Sequence, residues 1–375
     1  MFFDVEKNAK IYYISGEMLK NLTINNFRNH AVSKVNFDGA KNVIFTGPNG
    51  GGKTAILESL SLFAPLGSMR GANISDMVKI GTNTGFSVYA EMQNDSVLSV
   101  SVGVKDKTKK IRINGDASPI WVAAKEMKLI WLTPNEDRLF DDTATDRRGF
   151  LDRLVAGFDT NHSARITELN KLLHSRAFAL KTSRDDKWLN SIESNLASVA
   201  VQIAAARIAY AAQINHFLQS KSDINIILSG RIESGLCENL SSTEIENNYK
   251  LYLSQNRELV GGNMVCDGVH KSDWTMFSPL KNMNADMMSA GQQKKLLLLL
   301  IIAHIKLLNS VSNTPVIVLL DEMTSYLDME NVMDLFARLN DTNAQVLITG
   351  AKPDVFTNIP NSIIFSCVDG NIIKG

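Results

Sequence analysis

Cysteine is scarce in this chain of 375 residues: Cys237, Cys266 and Cys367 lie far apart, without metal-ligand spacing. That scarcity excludes a disulfide framework and a cysteine-bound metal cluster as the basis of the fold, and it fits a reduced, cytosolic protein. An excess of either charge is also lacking, with 39 Lys and Arg against 39 Asp and Glu. Any polyanion must therefore meet a local basic patch rather than a global field. Long apolar runs are missing too. The longest, Leu296 to Ala303, lies between Lys294–Lys295 and His304 and is too short for a membrane span. Asp4, Glu6 and Lys7 interrupt the apolar start before any signal-like core forms. These absences predict a cytoplasmic protein with no membrane partner. What remains is ordinary for a soluble globular chain, 45% hydrophobic and 21% charged, and long enough for two lobes.

Residues Lys41 to Leu62 carry the first chemical signal. Val43, Ile44 and Phe45 read as a short strand, and Ile56, Leu57, Leu60 and Leu62 repeat at helical spacing. Between them stands Gly47-Pro48-Asn49-Gly50-Gly51-Gly52-Lys53-Thr54, a complete G-x-x-x-x-G-K-[ST] phosphate loop. Glycines let backbone N–H groups curl around a β-phosphate with no Cβ in the way, and the helix N-terminus adds partial positive charge. Lys53 is placed to reach the β- and γ-phosphates of ATP, and the Thr54 hydroxyl to ligate Mg²⁺.

A second half of the site lies far downstream. Val316 to Leu320 is an apolar, β-branched-rich run, as expected of a buried strand in a parallel sheet, and it ends in Asp321-Glu322. Asp321 is expected to hold Mg²⁺, and Glu322 to orient or deprotonate the attacking water. Ser325-Tyr326-Leu327-Asp328 follows at the spacing of a D-loop. Ahead of the strand, Ser289-Ala290-Gly291-Gln292-Gln293 opens a long apolar helix and offers a hydroxyl, a bare backbone N–H and a helix dipole to an anion. Alone this is a simple N-cap. The order phosphate loop, S-x-G-Q, strand with Asp-Glu, S-x-L-D is the arrangement of an ABC-type ATPase. No N-K-x-D guanine motif is present.

The middle of the chain has another texture. One helix is expected over 161–181, with Ile166, Leu169, Leu173 and Leu180 along one side. A second carries Leu189, Ile192, Leu196, Val199, Ile203, Ala206 and Tyr210 at coiled-coil spacing. Together they predict an antiparallel hairpin of about 30–45 Å.

With these motifs the chain resembles the RecF family, bacterial recombination and repair ATPases related to SMC heads. The resemblance runs from Met18 nearly to the end. It is carried by LTINNFRNH (22–30), the phosphate loop with LESLSLFAPL, WLTPNEDRLFDDTATDRRGFLD (131–152), GVHKSD (268–273), SAGQQ and LLDEMTSYLD. It implies ATP-dependent homodimerisation on DNA at single-strand gaps, a RecR-like mediator as partner, and help in RecA loading and SOS induction. It further implies that Arg28 and Asn29 contact the nucleotide, together with Ser289, Gly291, Gln292 and Asp328, and that Glu136 or Asp137 stands in the Q-loop region. Val269 and Lys271 depart from the family's G-P-H-R-x-D. No histidine stands at the switch position, where Gly350-Ala351-Lys352 follows the strand.

For DNA the sequence offers Lys105, Lys107, Lys109, Lys110 and Arg112 ahead of the turn Asn114-Gly115, an edge ribbon that either touches phosphate or is a solvated edge. Arg147, Arg148 and Arg153 either bind phosphate or brace the two lobes. The expected architecture is α/β, an ABC-type (SMC-head-like) P-loop ATPase domain with an inserted lobe carrying a short antiparallel coiled-coil arm. The head spans 18–120 plus 280–375, the inserted lobe 121–279 with its hairpin at about 161–220, and residues 1–17 are an N-terminal extension. Two rival functions are a transporter motor subunit and an ATP-binding clamp with negligible turnover.

Overall fold

The computed structural model describes residues 18–103, 108–182, 185–219, 223–238, 240–257, 266–322 and 329–375. Its centre is a mostly parallel sheet built from distant parts of the chain. Strands β3 (Asn42–Thr46), β12 (Val316–Leu320) and β13 (Ala344–Gly350) are buried at every residue, which is why they read as mostly apolar runs without alternation. With β8 (Lys128–Leu132), β14 (Ser362–Val368) and β15 (Asn371–Lys374) the order is β15-β14-β3-β13-β12-β8, and only β14 and β15 pair antiparallel.

Alternate residues of these strands feed two cores. Ile44, Val318, Leu320, Val346 and Ile348 face helix α8 (Ala290–Val311) and its neighbours. Val43, Phe45, Ile317, Leu319 and Leu347 face helix α1 (Lys53–Ser61) and a second, antiparallel sheet. That second sheet runs β2-β1-β4-β5-β6-β7, from β1 (Leu19–Phe27), β2 (His30–Asn36), β4 (Phe86–Met92), β5 (Val97–Val102), β6 (Lys109–Ile113) and β7 (Asp116–Ala117). Its inner residues alternate with polar outer ones, as in a sheet covered on one side.

The inserted lobe holds α4 (His162–Thr182) and α5 (Asp186–Gln219), the expected hairpin. A third helix, α7 (Ser242–Gln255), joins them. Ile245, Tyr249 and Leu253 share a core with Leu169, Leu189, Leu196 and Ile203, so the arm is braced along its length. α5 is about 50 Å long at 1.5 Å per residue. Its first half lies in that core, and its second half, with Tyr210, Ile214 and Leu218, enters the core of the head.

By length and composition alone α5 could cross a membrane. Its apolar side is taken up by α4, α7 and α8, which accounts for its hydropathy as that of a core helix. The lobe boundaries are where an expectation needs correction. β8 lies beyond residue 120 yet pairs in parallel with β12 in the head. β11 (Met283–Asn284) lies beyond 280, yet it completes the small sheet of β10 (Asp273–Ser278) and β9 (Asn225–Ser229). A strand is assigned to a domain by its pairing partner, which sequence texture does not reveal.

Candidate nucleotide-binding site

The phosphate loop leaves the C-terminal end of β3 and opens α1, the position where parallel sheets bind ligands. Its glycines are dictated by space. Gly47 has φ 138°, and a Cβ there would stand 2.2 Å from the Cys367 carbonyl oxygen on β14. Gly52 has φ 103°, and its Cβ would meet His30 Nε2 at 2.7 Å. Gly51 is closed in by the same Cys367 carbonyl, at 2.4 Å. Asn29 Nδ2 donates to the Gly50 carbonyl at 3.1 Å, and Gly370 N to that of Gly51 at 3.2 Å. Lys53 is buried, its ammonium donating to the carbonyls of Gly47 (2.7 Å) and Pro48 (2.8 Å).

The two halves of the site meet across β13. Thr54 Oγ1 donates to Asp321 Oδ1 at 2.9 Å, and Thr349 Oγ1 donates to the same oxygen at 2.7 Å. Glu322 N donates in turn to Thr349 Oγ1 at 2.8 Å. Burial pushes the Asp321 carboxyl above its usual range, opposed by the hydrogen bonds from Thr349 and Thr54 and by the charge of Arg70. Glu322 holds φ 51°, a left-handed backbone that costs energy for a side chain of its size. A cavity of about 540 Å³ opens here, lined by Asn29, Asn49, Gly50, Lys53, Thr54, Arg70 and Glu322 among others, within the range of small-ligand sites. Hard oxygen donors suit Mg²⁺, which binds through one or two carboxylates plus phosphates and water. Thr54 and Asp321 fit that pattern, and no group of three or more acidic, His or Cys residues competes for a metal among the described residues.

Other expected residues are engaged by partners of their own or stand away from the cavity. Arg28 lines the cavity, but its guanidinium is bidentate to buried Glu58 (2.8 and 2.6 Å) and donates to the Asp76 carbonyl, so it braces the loop between β1 and β2. Ser289, Gly291 and Gln292 are exposed at the N-terminus of α8 and line no part of the cavity, and a Cβ on Gly291 would meet nothing. Gln292 Oε1 accepts from Ser289 N at 3.2 Å. Asp328, Lys105 and Lys107 lie outside the described residues. Lys109 turns inward to the Leu62 carbonyl (2.7 Å), while Lys110 and Arg112 are exposed. The ribbon alternates residue by residue, so Lys109 turns in while Lys110 and Arg112 face solvent.

Glu136 caps its own turn through Thr133 and pairs with Arg153 at 3.1 Å, and Asp137 pairs with Lys294 at 3.1 Å. Arg147 pairs with Asp273, and Arg148 donates to the Ser272 carbonyl, both bracing helix α3 (Ala144–Phe158) against β10. Four further residues shape the site without a chemical role marked in the motifs. Thr349 belongs to no short motif, and Glu58 lies within LESLSLFAPL, where nothing sets its carboxyl apart. Arg70 sits beyond the helix. His30 touches the carbonyls of Gly370 (2.9 Å) and Gly52 (3.1 Å), and burial lowers its pKa. The LTINNFRNH stretch, which ends on it, was the available hint.

A phosphate loop and an Asp-Glu strand end meeting on a parallel sheet, beside an antiparallel sheet and an inserted helical lobe, define an ABC-type P-loop ATPase head. Comparison with known proteins agrees. The family model described as RecF/RecN/SMC N terminal domain matches residues 18–373, and the chain belongs to that family, on its RecF branch. A DNA replication and repair protein RecF from Mesorhizobium japonicum is 32% identical over 94% of this chain and 96% of the relative. One from Rhizobium leguminosarum bv. trifolii is 30% identical over 95% and 98%. Among solved structures, a recombination mediator protein RecF with ATP superposes with a TM-score of 0.82 at 22% identity, over 96% of this chain and 99% of that one. A Smc head domain from Pyrococcus furiosus gives 0.51 at 16%, over 96% of each chain.

Proposed function

We propose that this protein is a DNA-binding ATPase of recombinational repair and replication restart, whose active site is completed when two heads pair across ATP. The hydrogen bond from Thr54 to Asp321, joining groups 267 residues apart, carries the reading. It supports a shared role for both oxygens in holding Mg²⁺, which when bound neutralises phosphate charge. Lys53 exchanges the loop carbonyls it now touches for the β- and γ-phosphate oxygens. Glu322, next in the chain, orients the attacking water. Asn29 and the loop residues from Gly47 to Gly52 border the phosphates. Ser289, Gly291 and Gln292 face solvent, which suits groups that cap the nucleotide of an opposite head.

The names of the RecF relatives support action on DNA in replication and repair. The finer reading is weak, DNA-stimulated turnover in the cytoplasm, at single-strand gaps, with a RecR-like mediator, aiding RecA loading and SOS induction. Light scattering with ATP tests the shared site. Glu322→Gln should accumulate as an ATP-bound dimer, having lost the group that positions water. Ser289→Arg should bind ATP and stay monomeric. A monomeric Glu322→Gln at saturating ATP and DNA, or a normally dimerising Ser289→Arg, would sink the mechanism.

A further inference from the structure

The antiparallel sheet buries one face against the head, and among the described residues its other face is exposed or half-buried. Strand register sets the outer residues in rows. Lys34 pairs with Thr23, Thr23 with Tyr89, Tyr89 with Ser99, and Ser99 with Arg112. The neighbouring row holds Val32, Asn25, Ser87, Ser101 and Lys110. Tyr89 stands in the middle, 43% exposed, with small hydroxyl side chains on both flanking strands.

Charge on these two rows has one sign. Lys34, Lys110 and Arg112 are exposed, and the side chains of Lys34 and Arg112 make no hydrogen bond or ion pair among the described residues. The acid that follows on β4, Glu91, is already engaged by Asn21 Nδ2 (2.7 Å) and Lys20 Nζ (3.0 Å). Four inter-strand steps separate Lys34 from Arg112, about 19 Å, with the ring of Tyr89 midway. An aromatic ring on a sheet face between cations is the chemistry that holds an unpaired base by stacking and its neighbours by their phosphates. A paired base has both faces covered by its neighbours in the stack, so a lone ring favours a single strand.

We infer that this outer face is a docking platform for single-stranded DNA, with Tyr89 stacked on a base and Lys34, Lys110 and Arg112 on the phosphates. The inference rests on the DNA-binding reading above and adds to it a site and a strand preference. It extends the edge ribbon across five strands and assigns the cation at the far side, Lys34.

Fluorescence anisotropy on the full chain tests it, using an oligothymidylate, an abasic oligomer of equal length and a duplex. Tyr89→Thr keeps strand propensity and should weaken oligothymidylate binding about tenfold while leaving the abasic oligomer unaffected. Tyr89→Phe should bind as the native protein does. Lys34→Glu with Arg112→Glu should weaken both oligomers and lower the salt slope by about one unit or more. ATP affinity should be unchanged in all variants, which checks the fold. Native affinity in Tyr89→Thr, or an equal loss on the abasic oligomer, overturns the platform. So does native affinity in the double charge reversal. A native protein that binds duplex and not oligothymidylate overturns this inference alone, and one that binds no DNA overturns the DNA-binding reading with it.

Discussion

Charged groups are used in opposite ways at the nucleotide end of the head and inside the inserted lobe. At the nucleotide end, Lys53 and Asp321 rest on partners that a ligand can replace: two loop carbonyls for one, two threonine hydroxyls for the other. In the lobe the partners are final. Arg207 is bidentate to Asp152 (2.8 and 2.9 Å), reaches Glu233 at 3.3 Å, and donates to the Val269 carbonyl and Ser272 Oγ. Asp152 also holds His162 at 2.8 Å. Deeper in the arm, Arg176 and Arg257 share Glu193, and Arg176 caps the Leu253 carbonyl at the end of α7. Exchangeable bonds keep a site ready. Buried internal bonds fix how α3, α5, α6 (Arg231–Cys237) and β10 meet, since any other packing would strand a buried charge.

The sharpest way to break this comparison is a pair of substitutions. Lys53→Ala removes the ammonium that meets phosphate and should cost about 2–5 kcal/mol of ATP affinity by calorimetry, with the urea midpoint nearly unchanged. Arg207→Met leaves Asp152 and Glu233 buried without their cation and should cost about 3–5 kcal/mol of folding stability. Any ATP bound by the folded fraction of Arg207→Met should bind with native affinity. If Lys53→Ala proves the less stable of the two, or Arg207→Met folds as well as the native chain, the distinction collapses.

The same contrast explains what the sequence reveals. Phosphate, metal and attacking water each demand particular residue types at a particular spacing, so Gly47 to Thr54 and Asp321–Glu322 stand out from the amino-acid order alone. Thr349 lies equally close to the chemistry, yet nothing in Gln345 to Thr349 distinguishes its hydroxyl from any other at a strand end. Arg28 is legible only in part: its motif brings it to the cavity, but its buried partner Glu58 lies 30 residues on, on another element. Helical spacing revealed α4 and α5, because one-sided burial leaves a periodic trace. Helix α7 carries the same kind of trace, in the capping box of Ser241 and Glu244 and the spacing of Ile245, Tyr249 and Leu253, whereas the pairing of β8 with β12 leaves none. The ribbon cations divide by strand alternation, and only that register separates Lys109 from Lys110 and Arg112.

His304 stands where the two regions join, on α8 in the head with Tyr210 of α5 against its Nδ1 at 3.0 Å. Burial drives its pKa down to about 3, and the nearby charges of Lys128 and Arg153 push the same way. In the unfolded chain the imidazole takes up its proton near 6.5, so between these values the unfolded state binds more protons than the native one. This group's contribution is therefore intact above that range and is lost as the pH falls through it, by up to about 1.4 kcal/mol per unit. Urea unfolding across this range should show the slope, and His304→Gln should flatten it. An unchanged slope would mean that some other group governs the joint.

Lys109 offers the smallest effect and the finest test. Its ammonium is partly buried and donates to the carbonyl of Leu62, the residue that closes α1, so one lysine ties the antiparallel sheet to the phosphate-loop helix. A cation suits a helix C-terminus, yet desolvation lowers this pKa from 10.5 to about 8. Below the lower value both folded and unfolded chains carry the charge, and the cost of burying it is present in full. Above the upper value both are neutral and that cost is gone. Stability contributed by this group thus rises with pH between the two, by less than about 1 kcal/mol after solvent screening. Lys109→Met should fold, lose that alkaline rise and retain native ATP affinity, because the methylene stem packs as before and only the tie to Leu62 is cut. If Lys109→Met instead weakens oligothymidylate binding as strongly as Lys34→Glu with Arg112→Glu, then Lys109 acts in the ribbon as a phosphate contact, and the inward orientation is not the one that works in solution.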